Sequence, residues 1–286
     1  MNTSWQLRFS GLVAVVTGAG SGMGRAYAQL LHEAGCNVVC VDNDALGLRH
    51  TQGLLGEESE AGCMIKPMDV SDPRAWSELA AEVAQQWGGA HVLINNAGIE
   101  GEVAPVWEIE PDTLERVMAV NFYGAVHGIR AFLPQLMAQP WSAIVNVSSI
   151  FGFVGAPTSA DYCASKFALR GYTEALMVEM QQLGAGPQIH LVHPGGINTN
   201  INRKQASRAF RDKFLITDPM DIARHVLAAV AANRPRIVFG HQAKKTYWGS
   251  KLLPLRWIVR LMQREMQDVC DTAAFSTDHP GLKEKP

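Results

Sequence analysis

Residues 12–24 read LVAVVTGAGSGMG, and this stretch decides the fold. Its first half is a short run of apolar, mostly β-branched side chains with the length of a buried strand. Its second half carries Gly18, Gly20, Gly22 and Gly24, where a missing side chain lets the backbone turn tightly into a following helix. A strand, a glycine-rich turn and a helix in this order predict the first βα unit of an open α/β sheet.

The alternation of strands and helices continues outward from this stretch. Further apolar runs of strand length are NVVCVD at 37–42, CMIKPMDV at 63–70, HVLINNAG at 91–98, SAIVNVSS at 142–149, QIHLVHPGG at 188–196 and RIVFG at 236–240. Helical patterns separate them, with long helices expected from about Pro111 to Met137 and from about Ala160 to Leu183. We therefore expect a doubly wound, parallel α/β sheet of the Rossmann type over 1–240, with a helical extension over 241–286.

Composition excludes several classes of protein. The 25 basic and 27 acidic residues are interspersed and give a net charge of -2, so nucleic-acid binding is not expected. The five cysteines have no paired CxxC spacing, which indicates neither a disulfide framework nor a zinc site. No stretch reaches the roughly 20 apolar residues of a membrane span, and the start lacks a signal-peptide pattern. We expect a cytoplasmic protein that holds no metal.

The glycine-rich turn is a candidate phosphate site. Backbone N–H groups at a helix N-terminus attract anions, and glycines allow a pyrophosphate to approach closely. The residues expected to contact such a ligand are Gly18, Ser21, Gly22, Met23 and Gly24. A turn without any ligand is the alternative interpretation of this pattern. The position of the turn in the first βα unit favours a dinucleotide.

Acidic and amide side chains follow the next strands. Asp42 ends the second strand, where a carboxylate can accept hydrogen bonds from the adenosine ribose and would repel a 2′-phosphate. Neither Ser21 nor Asn43 is the basic residue expected beside a 2′-phosphate, so NAD is favoured over NADP. Solvated strand ends and simple turns are the alternatives here. Further candidate cofactor contacts at strand ends are Asp69, Val70, Asn96, Ala97 and Gly98.

Tyr162 and Lys166 form the candidate catalytic pair. Their i, i+4 spacing places both on one face of the predicted helix, where an ammonium and a positive nicotinamide ring would both favour phenolate. Ser149, at the end of a strand, can donate a hydrogen bond to a developing oxyanion, whereas Ser148 should point to the opposite side. Alone, a Tyr–Lys pair is more simply a helix surface.

Taken together, TGxxxGxG, NNAG, Ser149, YxxxK and a later Pro–Gly segment resemble the short-chain dehydrogenase/reductase family over about residues 10 to 240. The resemblance implies a catalytic tetrad of Asn121, Ser149, Tyr162 and Lys166, with Asn121 holding a water that links Lys166 to solvent. Without the family, Asn121 is more simply an exposed polar residue or a kink. The resemblance also implies a homodimer or homotetramer.

The same resemblance implies roles for the strand ends. Asp69 and Val70 would contact adenine, and NNAG would support the sheet and the cofactor. The segment after the sixth strand would fix the nicotinamide through Pro194, Gly195, Ile197 and Thr199. A Pro–Gly turn is the alternative, and we expect His193 to be structural.

The substrate is expected to be a small, lipophilic secondary alcohol or its ketone, such as a steroid-like, retinoid-like or aromatic one. This expectation rests on the apolar residues Ile150, Phe151, Phe153, Val154 and Phe214. A 3-ketoacyl thioester reductase is the alternative within the family, and a catalytically silent NAD-binding regulator is the alternative outside catalysis. Basic residues over 203–213 could attract an acidic group or form a solvated helix face.

The extension contains an amphipathic segment at 251–266. Leu253, Trp257 and Leu261 repeat every four residues, beside a row formed by Arg256, Arg260 and Arg264, and Pro254 suits a first helical turn. Such a helix can make peripheral contact with a membrane. Packing on the protein's own core or on a partner subunit is the alternative.

Overall fold

A parallel seven-stranded sheet forms the centre of the fold. The computed structural model describes residues 4–56, 61–199, 208–270 and 275. The strands β1 to β7 span Val13–Thr17, Asn37–Asp42, Cys63–Pro67, Val92–Asn95, Ala143–Val147, Gln188–Pro194 and Arg236–Phe239. Their order is β3-β2-β1-β4-β5-β6-β7, so the winding reverses between β1 and β4. The predicted doubly wound sheet is confirmed.

Helices cover both faces of the sheet. In the described residues, α1 to α10 span Gly22–Glu33, Ala45–Leu55, Pro73–Trp87, Pro111–Met118, Gly124–Ala138, Ala160–Leu183, Arg208–Phe214, Pro219–Ala231, Ala243–Leu252 and Leu255–Met266. Alternate residues of β1 face opposite layers: Ala14 packs with Tyr27 of α1, whereas Val15 packs with Trp76 of α3. Since helices cover both faces of the sheet, β1 needs apolar side chains on both sides, and it is apolar from Val13 to Val16.

One predicted long helix is interrupted. The expected helix from Pro111 to Met137 is α4 and α5 joined by a π-helical turn at Ala119–Tyr123. The prediction of one uninterrupted α-helix was therefore wrong. The wider π-helical turn places the side chain of Asn121 inward. The second long helix, Ala160–Leu183, is confirmed with the predicted bounds.

The described part of the extension is a helical hairpin. Helix α10 begins at Leu255 and not at 251, because Pro254 forces the preceding Leu253 into extended backbone with ψ of 139°. Leu253 therefore does not share a helix with Trp257, and the predicted single row is broken there. No helix in the described ranges is both long and apolar enough to cross a membrane.

The basic segment over 203–213 is only partly described. Arg203 and Lys204 lie outside the described residues, which resume at helix α7. In that helix Lys213 donates to the backbone carbonyl of Glu265 at 3.0 Å and lies 3.4 Å from the Asp268 carboxylate. This contact ties α7 to the end of α10.

Gly24 sets how closely helix α1 approaches the turn before it. A β-carbon at this position would lie 2.0 Å from the Gly18 carbonyl oxygen, so Gly24→Ala must push the helix away from β1. We expect the free energy of unfolding to fall by about 2 kcal/mol or more, measured by urea denaturation of the ligand-free protein.

Gly53→Ala is the matched control. Gly53 also lies in a helix, α2, and nothing stands within 4 Å of its added β-carbon. This change should be neutral or stabilise by up to about 1 kcal/mol. Equal effects of the two substitutions would contradict the argument for close packing.

Candidate active site

A cavity of about 780 Å³, lined by described residues, opens at the carboxyl ends of the strands. This is where open α/β sheets bind ligands, next to the point at which strand order reverses. It brings together the predicted residues Gly18, Ser21, Gly22, Met23, Asp42, Asp69, Val70, Asn96, Ala97, Gly98, Ser149, Tyr162, Lys166, Pro194, Gly195, Ile197 and Thr199. Gly24 and Asn121 do not line the cavity.

The glycine loop takes conformations that side chains disfavour. Gly18 and Gly22 have φ of +69° and +51°. A β-carbon on Gly18 would lie 2.8 Å from Nδ2 of Asn96, and one on Gly22 would lie 3.1 Å from Thr199. The loop is therefore pressed between the ends of β4 and β6, and its backbone faces the cavity as a pyrophosphate cradle requires.

Thr17 organises the point where strand order reverses. Its hydroxyl accepts hydrogen bonds from the backbone N–H groups of Asn96 and Ala97, each at 2.9 Å, and donates to the Ile94 carbonyl. Nδ2 of Asn96 donates to the Thr17 carbonyl at 2.9 Å. Thr17 opens the TGxxxGxG motif, but the sequence pattern alone does not reveal this role. The NNAG segment is thus fastened to the end of β1.

Asp42 is held by backbone donors at the adenosine end of the cavity. Its carboxylate accepts from Gly20 N–H at 2.9 Å and from Asp44 N–H at 3.0 Å. A β-carbon on Gly20 would lie 2.9 Å from the same carboxylate, so the glycine loop closes directly over it. No lysine or arginine occurs in residues 18–24 or 42–46. This end of the cavity therefore presents a carboxylate held by the glycine loop.

Ser149, Tyr162 and Lys166 lie together on the cavity wall. The Ser149 hydroxyl is placed to donate a hydrogen bond to the Tyr162 oxygen, and the Lys166 ammonium lies 5.5 Å from the centre of the Tyr162 ring. Nζ of Lys166 donates to the Val147 carbonyl at the end of β5, at 3.0 Å. Helix α6 therefore presents the predicted pair beside the serine of the neighbouring strand.

Burial controls the ionisation of this pair. It raises the pKa of Tyr162 well above its ordinary value, and the hydrogen bond from Ser149 opposes the rise. Burial also lowers the pKa of Lys166 to about 8. In the ligand-free site, loss of solvation is the largest influence on the phenol and favours its protonated form. The joint effect of the ammonium and a bound nicotinamide ring stays a prediction.

Asn121 is buried and fully engaged. Its Oδ1 accepts from Ile99 N–H at 2.8 Å, and its Nδ2 donates to the Ile99 carbonyl at 2.9 Å and to Oγ of Ser165 at 3.0 Å. It is therefore not an exposed helix residue, and it lies in the π-helical turn. These bonds fasten the chain after β4 against α6. A water-holding role stays a prediction.

His193 supports the serine from beneath. Its Nδ1 lies 2.8 Å from the Ser149 carbonyl, and burial lowers its pKa to about 3, so the neutral ring donates this bond. Phe153 stacks on the imidazole with ring centres 3.8 Å apart. Phe153 does not line the cavity, so its prediction as a substrate contact was wrong. Phe153 stacks on the buried His193 ring, and this contact keeps its side chain inward.

The opposite end of the cavity is apolar. Ile150, Phe151, Val154 and Phe214 line it as predicted. Three residues that sequence reasoning missed complete it from α7 and α10, namely Phe210, Met262 and Met266. The Phe151 ring lies 6.4 Å from that of Tyr162 and 6.0 Å from that of Phe210. An apolar molecule bound here would reach the Tyr162 hydroxyl.

The described residues contain no candidate metal-binding cluster. Across the described residues, no three side chains of His, Cys, Asp or Glu come together in a way that could hold a metal ion. The groups placed for chemistry are a phenol, a hydroxyl and an ammonium.

Comparison with known proteins agrees with this geometry. A family model described as short chain dehydrogenase matches residues 12–209. The chain is 38% identical over 248 residues to SadH of Mycobacterium tuberculosis, covering 82% of this chain and 88% of that one. It is 31% identical to D-beta-hydroxybutyrate dehydrogenase of Rhizobium meliloti, covering 67% and 74% of the two chains.

A solved structure extends the likeness to the whole fold. A short chain dehydrogenase/reductase from Burkholderia phymatum, in complex with NAD, superposes with a TM-score of 0.78 at 28% identity. The match covers 91% of this chain and 96% of that one. The chain belongs to the short-chain dehydrogenase/reductase family and is an oxidoreductase that uses a nicotinamide cofactor.

Proposed function

We propose that the protein is an NAD-dependent enzyme that interconverts a lipophilic secondary alcohol and its ketone. The observation that carries this proposal is the position of Tyr162, with Ser149 and Lys166, between a polar end of the cavity and an apolar end. The polar end has the backbone and carboxylate that suit a dinucleotide. The apolar end suits a substrate with few charges.

Tyr162 is the proton donor or acceptor in this proposal. Its raised pKa keeps the phenol protonated in the ligand-free protein, ready to donate to a ketone oxygen. Bound NAD or NADH supplies the hydride acceptor or donor, and the positive ring of NAD favours phenolate for alcohol oxidation. Ser149 donates to the substrate oxygen as negative charge develops there, and Lys166 holds positive charge near the phenol.

Asp42 gives the preference for NAD over NADP. Its carboxylate lies where the ribose hydroxyls would bind, and Asp44 begins the next helix beside it. A 2′-phosphate would meet negative charge without a basic partner from this turn. The Burkholderia phymatum relative was solved with NAD, whereas a metagenomic relative at 29% identity and a TM-score of 0.68 was solved with NADP. Asp42 supports NAD as the cofactor of the present chain.

The cavity lining supports a lipophilic substrate. Phe151, Phe210 and Phe214 form a connected group of rings, with Phe210 and Phe214 4.9 Å apart. Met262 and Met266 of α10 close the cavity from the other side. Flexible methionines beside aromatic rings accommodate bulky apolar molecules of varied shape. Steroid-like, retinoid-like and aromatic alcohols all fit this chemistry.

A homo-oligomer is the proposed assembly. The outward faces of the long helices carry exposed apolar side chains, including Tyr123, Phe167 and Val178. Exposed apolar groups on neighbouring helices are typical of an interface. The extension lies on another side, next to the substrate end of the cavity, and would not cover these residues.

Tyr162→Phe tests the chemistry. It removes the only hydroxyl of the side chain and keeps the ring, so turnover should fall by about 100-fold to 10,000-fold. NADH absorbance measured across a panel of apolar alcohols and ketones reports the rate. NADH binding, followed by fluorescence, should stay within a few-fold of the wild type.

Undiminished turnover of Tyr162→Phe would contradict the proposed mechanism. Tight NADH binding with no turnover by the wild type on any member of the panel would instead favour a silent NAD-binding regulator. Tyr172→Phe, which removes a hydroxyl from the same helix outside the cavity lining, is the control and should leave turnover unchanged.

Asp42→Ala tests the cofactor preference. Removing the carboxylate takes away both the ribose acceptor and the charge that repels a 2′-phosphate. The ratio of the Kd for NADPH to the Kd for NADH should fall by about tenfold or more, measured by fluorescence titration. Asp221→Asn, on the exposed face of α8 and outside the cavity lining, should leave this ratio unchanged. A wild type that binds NADPH more tightly than NADH would refute the assignment.

Lys166→Met tests the buried charge. Burial lowers the pKa of Lys166 from 10.5 to about 8, so above that pH the unfolded chain binds more protons than the folded one. The contribution of this group to stability therefore rises with pH between these two values. Relative to Lys166→Met, the ligand-free wild type should gain about 2 kcal/mol in free energy of unfolding from pH 7 to pH 10.

Urea denaturation at both pH values measures this gain. Other groups titrate alike in the two proteins, and the comparison removes their contribution. Parallel changes in the two proteins would show that the ammonium is not buried as described.

A further inference from the structure

In the part of the chain that the structure describes, the outer side of the C-terminal hairpin is apolar and exposed. Helices α9 and α10 meet at Leu253 and Pro254. The seven exposed apolar residues around this corner, called here the hairpin tip, are Trp248, Leu252, Leu253, Leu255, Trp257, Val259 and Leu261. Leu252 is 73% exposed and Leu255 is 74% exposed, so neither is used in the protein's own core.

The inner side of the hairpin already has a partner. Met266 is buried, and Met262 packs with it against Phe210 and Phe214. Nζ of Lys245 pairs with the Glu265 carboxylate at 2.8 Å and joins the two helices at the end away from the tip. The hairpin is therefore anchored at its base while the tip projects outward.

Basic residues surround the tip. Residues 243–266 contain six lysines and arginines and one acidic residue, in a chain whose net charge is -2. Lys251, Arg256 and Arg260 are exposed beside the tip, and the Arg260 guanidinium lies over the Trp257 ring at 5.4 Å. An apolar patch with tryptophan and a basic border complements the surface of an anionic lipid bilayer.

We propose that the hairpin tip docks on an anionic lipid surface. Its apolar residues would enter the boundary between headgroups and acyl chains, with Arg256 and Arg260 against the headgroups. A second copy of the chain fits less well, because a two-fold contact would face one basic border with another. Docking differs from crossing, for which the described helices are too short or too polar.

The position of the tip adds a consequence for the substrate, which rests on the proposed function. Leu253 and Leu261 belong to the tip and also line the cavity. Docking would therefore hold the substrate end of the cavity against the lipid, where lipophilic alcohols concentrate. Apolar molecules would enter without crossing water.

Flotation of the full chain with vesicles tests the proposal. Wild type should float with vesicles of phosphatidylcholine and phosphatidylglycerol in equal parts, and much less with phosphatidylcholine alone. The double substitution Leu255→Ser with Trp257→Ser should lower the partition coefficient at least tenfold. The double substitution Arg256→Gln with Arg260→Gln should lower it by about tenfold on anionic vesicles only.

Matched controls come from other exposed surfaces. Leu7→Ser, at a side chain 67% exposed, and the pair Arg74→Gln with Arg234→Gln should float like the wild type. Tyr162→Phe should also float normally, so a failure of the proposed chemistry leaves this test intact. Far-ultraviolet circular dichroism and thermal melting confirm that each variant is folded.

Three outcomes would overturn the proposal. Wild type that stays with the lipid-free fractions is one, and equal flotation of wild type and both tip variants is another. The third is sedimentation velocity showing an oligomer that Leu255→Ser with Trp257→Ser dissociates, in a protein that does not float. That result would assign the tip to a second copy.

Discussion

The buried ammonium of Lys166 is the interaction on which the catalytic edge depends. Its side chain donates to the Val147 carbonyl, and its own backbone carbonyl accepts from the Ser148 hydroxyl at 2.9 Å. Helix α6 is therefore fixed to the end of β5 from both the side chain and the backbone of one residue. Tyr162, one turn earlier, is consequently held beside Ser149. This placement removes water from the ammonium, and the loss of solvation lowers the pKa of Lys166.

The two ends of the cavity acquire different chemistry from different parts of the chain. Short loops at the ends of β1, β2 and β4 form the polar end, and their geometry comes from backbone hydrogen bonds to Thr17 and Asp42. Helices α7 and α10 form the apolar end, far along the chain from those loops. Tyr162 of α6 lines the same cavity. Each loop of the polar end directly follows its own strand, whereas the apolar end is completed by helices from the last third of the chain.

This division explains how far the sequence could predict the structure. The strands, the bounds of α6 and the residues at the strand ends were predictable, because each depends on hydrophobic period or a short motif. The π-helical turn at Asn121 was not, since nothing local signals one wider turn. The inward position of Phe153 depends on His193, which lies 40 positions away. The raised pKa of Tyr162 required knowledge of how much solvent its surroundings exclude.

Helix α10 shows most clearly what periodicity leaves open. Its apolar residues occupy more of its circumference than one contact needs, and the sequence cannot say which of them face inward. Pro254 decides this by forcing Leu253 to be extended, which sets the point where the helix begins. Met262 and Met266 then face the cavity, and Leu255 and Trp257 face out. Closing the substrate cavity requires only Met262 and Met266. The second pair exposes apolar area that water disfavours, and Arg256 and Arg260 beside this pair complement a negatively charged surface.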